Sequence, residues 1–105
     1  MFLKNFRPFW FWYYNFLPSI YYLGHVVPTS IHVDKKKLLT NSAINFLNAI
    51  GLRDGPAHVE LRLSEKGPVL MEINPRPAGG RIAQDLLINA YGVNVYDAGL
   101  DFFRG

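Results

Sequence analysis

The clearest alternation of apolar and polar positions lies in the middle of the chain and predicts a β-hairpin. Residues 57–64, "AHVELRLS", place apolar and polar side chains on opposite sides, and "PVLMEIN" begins a second such run after the loop "EKG". Two alternating runs around a short loop that ends in glycine are typical of two antiparallel strands. The predicted core side of this hairpin carries Ala57, Val59, Leu61, Leu63, Val69, Met71 and Ile73.

The length of the loop predicts the register of the hairpin. If residues 65–67 form a three-residue turn with a left-handed glycine, Glu60 lies opposite Glu72. The same register pairs His58 with Asn74. Arg76 follows two residues later on the same polar side, since side chains alternate along a strand. The polar face of the hairpin therefore gathers two carboxylates, an amide, an imidazole and a guanidinium.

Helical periodicity flanks the hairpin on both sides. The first predicted helix is capped by Asp34 and ends at Gly51, and its apolar face consists of Leu39, Ala43, Phe46, Leu47 and Ile50. A second helix is predicted through Ile82, Leu86 and Ala90, with Gly92 at its end. Asn94 is expected to cap a third helix, which reaches about Phe103 and buries Leu100 and Phe103. These elements predict the α+β class, with an antiparallel hairpin packed against helices.

The first 22 residues differ sharply from the rest, since they hold 11 of the 16 aromatic residues. No amphipathic period fits them. A membrane anchor is one interpretation, although Asn15 and Pro18 interrupt it. A secretory signal is another, although the run is aromatic and no small-residue cleavage site follows. We favour a third, in which residues 1–20 are an aromatic-rich lead-in outside the fold and the domain spans residues 21–105.

Composition narrows the classes of function. A chain of 105 residues without cysteine fits one small domain with neither disulfides nor thiolate metal sites, and we expect a cytoplasmic protein. The net charge is +3, but the basic residues are scattered. Nucleic-acid binding requires a clustered basic surface, so no nucleic-acid partner is expected. No membrane partner is expected either.

The polar face of the hairpin predicts a cation site. Two carboxylates that face each other across a strand pair repel, unless a positive charge lies between them. Glu60, Glu72 and Asn74 offer oxygen ligands, the kind that Mg²⁺ prefers. The alternative is a solvated surface on which Arg62 or Arg76 forms salt bridges with these carboxylates.

The segment "HVELRLSEKGPVLMEINPRPAGGRI" resembles the C-terminal catalytic hairpin of the ATP-grasp superfamily, whose members join a carboxylate to an amine or thiol through an acyl-phosphate. In that superfamily one strand carries a Glu and the next carries Glu-x-Asn-x-Arg. The resemblance implies that Glu60, Glu72 and Asn74 bind Mg²⁺ or Mn²⁺ against the phosphates of ATP. It also implies that Arg76 contacts the transferred phosphoryl group.

The "INPRPAGGRI" portion is similar to the amino-acid ligase branch, which implies further site residues. Gly79, Gly80 and Arg81 would line the pocket for the carboxylate substrate, with Arg81 taking part in catalysis. A helix-start role for Arg81 is an equally weighted alternative. His25 resembles a pocket residue, but Tyr22 stands where the family commonly has an acidic residue. His58 could contact the ligands, although a solvent-facing histidine is the favoured interpretation.

The resemblance covers residues 23–105 and implies a fragment of an ATP-dependent carboxylate–amine ligase. We expect it to be inactive alone, because the subdomain that carries the adenine slot has no counterpart in this sequence. Expected ligands are ATP and a small carboxylate or amino acid, with the other half of the grasp domain as a partner in trans. A non-catalytic metal-binding or interaction module, left from an ATP-grasp protein, is the alternative.

Overall fold

A computed structural model describes residues 12–15, 22–26, 29–79 and 81–104, without the side chains of residues 12–15, 22–26 and 102. The described strands form two antiparallel pairs, β1 with β2 and β3 with β4. Helices precede and follow the second pair, which confirms the α+β prediction. The elements are β1 (Trp12–Asn15), β2 (Tyr22–Val26), α1 (Val33–Ala49), β3 (His58–Ser64), β4 (Gly67–Asn74), a π-helical turn (Ile82–Leu86), α2 (Leu87–Tyr91) and α3 (Val95–Arg104).

Helix α1 begins two residues earlier than predicted. Its N-cap is His32, whose Nδ1 accepts a hydrogen bond of 3.3 Å from the backbone N–H of Asp34. The prediction that Asp34 is the cap is therefore wrong. Asp34 instead lies in the first turn, where a carboxylate interacts favourably with the helix dipole.

The C-terminal end of α1 is a glycine-based cap, as predicted. Gly51 has a φ of 77°, a conformation that costs glycine little because it has no Cβ. Its N–H donates to the carbonyl of Asn48, and the N–H of Leu52 donates to that of Leu47, each at 3.0 Å. These two bonds form a Schellman motif and satisfy carbonyls that the helix leaves open.

The predicted apolar face of α1 is confirmed for three residues. Leu39, Ala43 and Leu47 are buried, and Leu47 is fully buried where α1 packs against the β3–β4 hairpin. Phe46 is only half-buried. Ile50 is 56% exposed, because it lies beyond the last helical turn as the C-cap.

The predicted register of the hairpin is confirmed at the open end and wrong near the turn. His58 pairs with Asn74 and Glu60 pairs with Glu72, as expected. Beyond Glu60 the register shifts by one residue, so that Leu61 pairs with Leu70 and Met71 is an extra, bulged residue. The turn therefore contains two residues, Glu65 and Lys66, instead of three.

The bulge also changes which residues of β4 face the core. A shift of one residue turns side chains to the opposite face of a strand. Val69 and Met71, both expected in the core, are 45% and 56% exposed. Leu70 is half-buried opposite Leu61 and takes their place.

The C-terminal segment has its own small core, formed by Ala78, Ile82, Ala83, Leu87 and Val95. The predicted second helix is present, but its first part is a π-helical turn that continues into α2. Asn94 caps α3, as predicted: its Oδ1 accepts from the N–H groups of Tyr96 and Asp97 at 3.0 and 3.4 Å.

The predicted burial of two residues on α3 is wrong. Leu100 is 53% exposed and Phe103 is 76% exposed. The buried residues of α3 are instead Val95, which belongs to the small core, and Gly99.

The described part of the aromatic lead-in is strand β1, which pairs with β2 so that Tyr13 lies opposite His25. The boundary between lead-in and domain at residue 20 stays a prediction. Within the described ranges, the helices are too short or too polar to cross a bilayer.

Candidate functional site

The end of the β3–β4 hairpin near residues 58–60 and 72–74 holds the predicted site residues on one face. Direct cross-strand partners point to the same side of a sheet, and so do alternate residues of one strand. His58, Glu60, Glu72 and Asn74 satisfy both relations, because their register is regular on this side of the bulge. The structure therefore brings together the residues that the sequence predicted as a cluster.

A hydrogen bond within the cluster orients the amide. Asn74 Nδ2 donates to Glu72 Oε1 over 2.5 Å. Because the amide nitrogen donates to Glu72, the Asn74 oxygen Oδ1 is a separate acceptor of the same side chain. Glu72 is exposed, whereas the Glu60 side chain is only 16% exposed.

This donor set fits a hard divalent cation. It contains carboxylate and amide oxygens and no thiol, which is the chemistry that Mg²⁺ and Mn²⁺ favour. Two carboxylates face each other across the strands, and a cation between them would relieve their repulsion. The described residues contain no group of three or more His, Cys, Asp or Glu placed to hold a metal, and the third oxygen-bearing side chain on this face is the amide of Asn74.

His58 is buried, and the expectation that it faces solvent is wrong. Its residue exposure is 9%, and Nε2 lies 3.6 Å from Glu60 Oε1. Burial lowers the pKa of His58 below the usual 6.5, and the positive charge of Arg76 lowers it further. The carboxylates of Glu60 and Glu72 raise the same pKa, but burial has the larger effect. A neutral imidazole thus lies beside the carboxylates.

Arg76 follows the end of β4, two residues after Asn74. Its charge acts on His58, and its Nη1 donates a 2.9 Å hydrogen bond to the carbonyl of Pro77. The guanidinium also lies close to the following loop: if residue 79 had a Cβ, that atom would be 3.8 Å from Nη1 of Arg76. Arg76 therefore lies between His58, on which its charge acts, and the loop that contains Gly79.

Arg81 closes that loop in an unusual backbone conformation. Its φ of 62° and ψ of 10° are left-handed, and no other non-glycine residue in the described ranges has a positive φ. The side chain is 77% exposed, and Nε donates to Asp85 Oδ2 over 2.5 Å. Arg81 directly precedes the π-helical turn, as the helix-start interpretation expected.

Asp85 is the residue of this region that the sequence prediction missed. The sequence does contain a signal for Asp85. Arg81 and Asp85 carry opposite charges four residues apart, and residues at this spacing are neighbours on a helix. Two other predicted residues cannot be placed against the cluster. Gly80 and the side chain of His25 lie outside the described part of the chain.

Comparison with known proteins shows the family of this chain. The sequence model of a protein family described as "ATP-grasp domain" matches residues 17–85. This range includes β2, α1 and the whole hairpin. The chain therefore belongs to the ATP-grasp family. The match also covers Glu60, Glu72, Asn74 and Arg76.

Curated relatives are much longer than this chain. It is 37% identical over 76 residues to "Carnosine synthase 1" of Gallus gallus, which is 72% of this chain and 8% of the relative. It is 34% identical over 79 residues to "Carnosine synthase 1" of Homo sapiens, 75% of this chain and 9% of the relative. A 33-residue stretch, 31% of this chain, is 54% identical to 7% of "Uncharacterized protein y4rH" of Sinorhizobium fredii. No solved structure matches the chain.

Proposed function

We propose that this chain is the metal-binding catalytic segment of an ATP-grasp carboxylate–amine ligase. The observation that carries the proposal is the direct pairing of Glu60 with Glu72, beside an Asn74 held by Glu72, in a chain of the ATP-grasp family. The reaction of such a ligase begins when a substrate carboxylate oxygen attacks the γ-phosphorus of ATP and ADP leaves. An amine then attacks the acyl-phosphate, a C–N bond forms and phosphate is released.

Glu60, Glu72 and Asn74 would hold Mg²⁺ or Mn²⁺ against the phosphates of ATP. The cation supplies positive charge where negative charge gathers on the phosphoryl oxygens. In the protein, the hydrogen bond from Asn74 fixes one Glu72 oxygen, and His58 borders Glu60 at 3.6 Å. Groups placed in advance stabilise charge more effectively than groups that must reorganise during the reaction.

Arg76 is proposed to contact the transferred phosphoryl group. Its charge acts on His58, the histidine beside Glu60, and its Nη1 lies near Gly79. A guanidinium keeps its charge at all relevant pH values and presents several N–H donors in one plane. It can therefore follow a phosphoryl group from ATP to the substrate carboxylate.

The loop after β4 is proposed to receive the substrate carboxylate. Gly79 and Gly80 allow a close approach to the backbone, and Arg81 offers a guanidinium that matches a carboxylate in shape and charge. His25 is retained as a further contact. The relatives named carnosine synthase agree with an amino-acid substrate.

The chain alone is proposed to bind the cation without completing the reaction. It spans less than a tenth of the length of the carnosine synthases it matches. Catalysis of phosphoryl transfer depends on positioning both substrates, and nothing in this segment is assigned to the adenine. A partner that carries the rest of the grasp domain would supply that function.

Thermal unfolding with and without Mg²⁺ tests the proposal. A ligand that binds only the folded form stabilises it by RT ln(1 + [L]/Kd), about 1.4 kcal/mol at ten times the Kd. For a chain of this size, that stabilisation corresponds to a rise in Tm of roughly 5–10 °C. The Glu72→Gln variant keeps an oxygen for Asn74 but removes a charge, so it should lose this rise.

Glu65→Gln is the matched control, because Glu65 is exposed in the hairpin turn and away from the cluster. It makes the same chemical change and should keep the full response to Mg²⁺. An equal response in the parent and the Glu72 variant would mean that these carboxylates are ordinary surface charges.

A further inference from the structure

The contact between Arg81 and Asp85 lies at the carboxylate end of the proposed site. Arg81 adopts a left-handed backbone conformation that ordinarily disfavours residues with a Cβ. Its carbonyl accepts from the N–H groups of Asp85 and Leu86 at 2.9 and 3.4 Å. These hydrogen bonds link the backbone of Arg81 to the π-helical turn. They therefore fix the position of the backbone from which the Arg81 side chain extends.

The guanidinium of Arg81 already binds a carboxylate. Nε donates to Asp85 Oδ2 over 2.5 Å, and the Asp85 side chain is 38% exposed. A ligand carboxylate that uses the Nε edge of the guanidinium needs the same donor. Asp85 and a ligand that binds across this Nε edge therefore compete, because one N–H cannot donate a full hydrogen bond to two carboxylates at once.

Resting on the carboxylate-binding role proposed above for Arg81, we propose that Asp85 is a built-in competitor of the substrate. Asp85 holds Arg81 while the site is empty and releases it when a substrate carboxylate binds. The affinity of this end of the site is thereby set by how strongly Asp85 holds the guanidinium.

The expected effect is small and measurable. Ion pairs between exposed side chains are weak. The apparent affinity of a ligand for Arg81 is proportional to the fraction of molecules in which the Arg81–Asp85 ion pair is broken. Removing the charge of Asp85 should therefore strengthen the binding of a carboxylate at Arg81 by about 1.5- to fivefold.

The negative charge of Asp85, once displaced from Arg81, should also make the site prefer substrates with a single carboxylate. Its carboxylate stays close to Arg81, because the two residues are linked through the π-helical turn. A ligand with a second negative charge is repelled there, whereas a ligand with a single carboxylate is not. The proposed substrate is therefore a monocarboxylate, and loss of the Asp85 charge should help a dicarboxylate more than a monocarboxylate.

Titrations with acetate and malonate at constant ionic strength test the proposal. Carbon-detected NMR of the arginine Nε–Cζ groups reports binding at Arg81 itself. Asp85→Asn should bind acetate about 1.5- to fivefold more tightly than the parent and should gain more for malonate. Asp101→Asn is the matched control, because Asp101 faces Arg104 at 3.9 Å in an exposed pair on α3. It should leave both affinities at Arg81 unchanged.

Equal or weaker acetate binding in Asp85→Asn would overturn the proposal, and so would an Arg81 signal that acetate moves in neither protein. The Mg²⁺ response of the parent, measured in the same preparation, separates this inference from the proposed function. If Mg²⁺ stabilises the parent while Asp85→Asn gains nothing, only the competitor role fails. If the parent shows no Mg²⁺ response, the proposed function fails whatever the carboxylate titrations give.

Discussion

Protonation of the buried histidine should destabilise the fold as the pH falls. Burial lowers the pKa of His58 in the folded chain below 6.5, so the unfolded chain binds a proton more readily. The contribution of the neutral His58 to stability is therefore fully present above the pKa of the unfolded chain. It is lost as the pH falls through 6.5 towards the lower pKa of His58 in the folded chain. One proton taken up only on unfolding changes the free energy of unfolding by at most about 1.4 kcal/mol per pH unit.

Urea unfolding between about pH 7.5 and pH 5.5 measures this loss. His58→Phe keeps a buried ring without a titrating group, so its stability should vary less with pH than that of the parent. His32→Asn is the control: it removes an exposed histidine and supplies another good N-cap for α1, and it should retain the pH dependence of the parent. If His58→Phe and the parent lose stability equally with falling pH, burial does not hold the imidazole neutral.

Two further predictions concern the scaffold. Leu47→Ala should lower the free energy of unfolding by about 2.7–5 kcal/mol in urea, because Leu47 is fully buried on α1; a loss below about 1 kcal/mol would contradict that burial. Gly99→Ala should raise it by about 0.5–1 kcal/mol, since Gly99 lies inside α3 and an added Cβ meets no atom within 4 Å. Gly67→Ala should instead lower it by about 1–2 kcal/mol, because Gly67 has a φ of 109°; equal effects at the two glycines would refute this argument.

The sequence predicted the site end of the hairpin better than the turn end. Alternation placed Glu60 opposite Glu72 and His58 opposite Asn74, and both pairs are present. The bulge at Met71 was missed because a bulge adds a residue without breaking the local preference for strand. Its effect on Val69 and Met71 therefore could not be read from alternation, which assumes an unbroken ladder.

Burial was the hardest property to predict, because it depends on packing between distant parts of the chain. His58 occupies a polar position of an alternating strand, yet it is buried. Phe103 is strongly apolar, yet it is exposed. Helix caps were easier to predict where only one nearby residue can form the cap, as at Gly51 and Asn94. At the start of α1 both His32 and Asp34 have side chains that can accept a hydrogen bond, and the N-cap is His32.

Glu60, Glu72 and Asn74 are proposed to hold a divalent cation together. Electron paramagnetic resonance of Mn²⁺ tests this proposal most directly, because bound and free Mn²⁺ give different signals and the measurement needs no turnover. The parent chain should bind one Mn²⁺ that Mg²⁺ displaces, and Glu60→Gln and Glu72→Gln should each weaken this binding strongly while Glu65→Gln leaves it unchanged. Equal Mn²⁺ binding in all four proteins would contradict the assignment of the site.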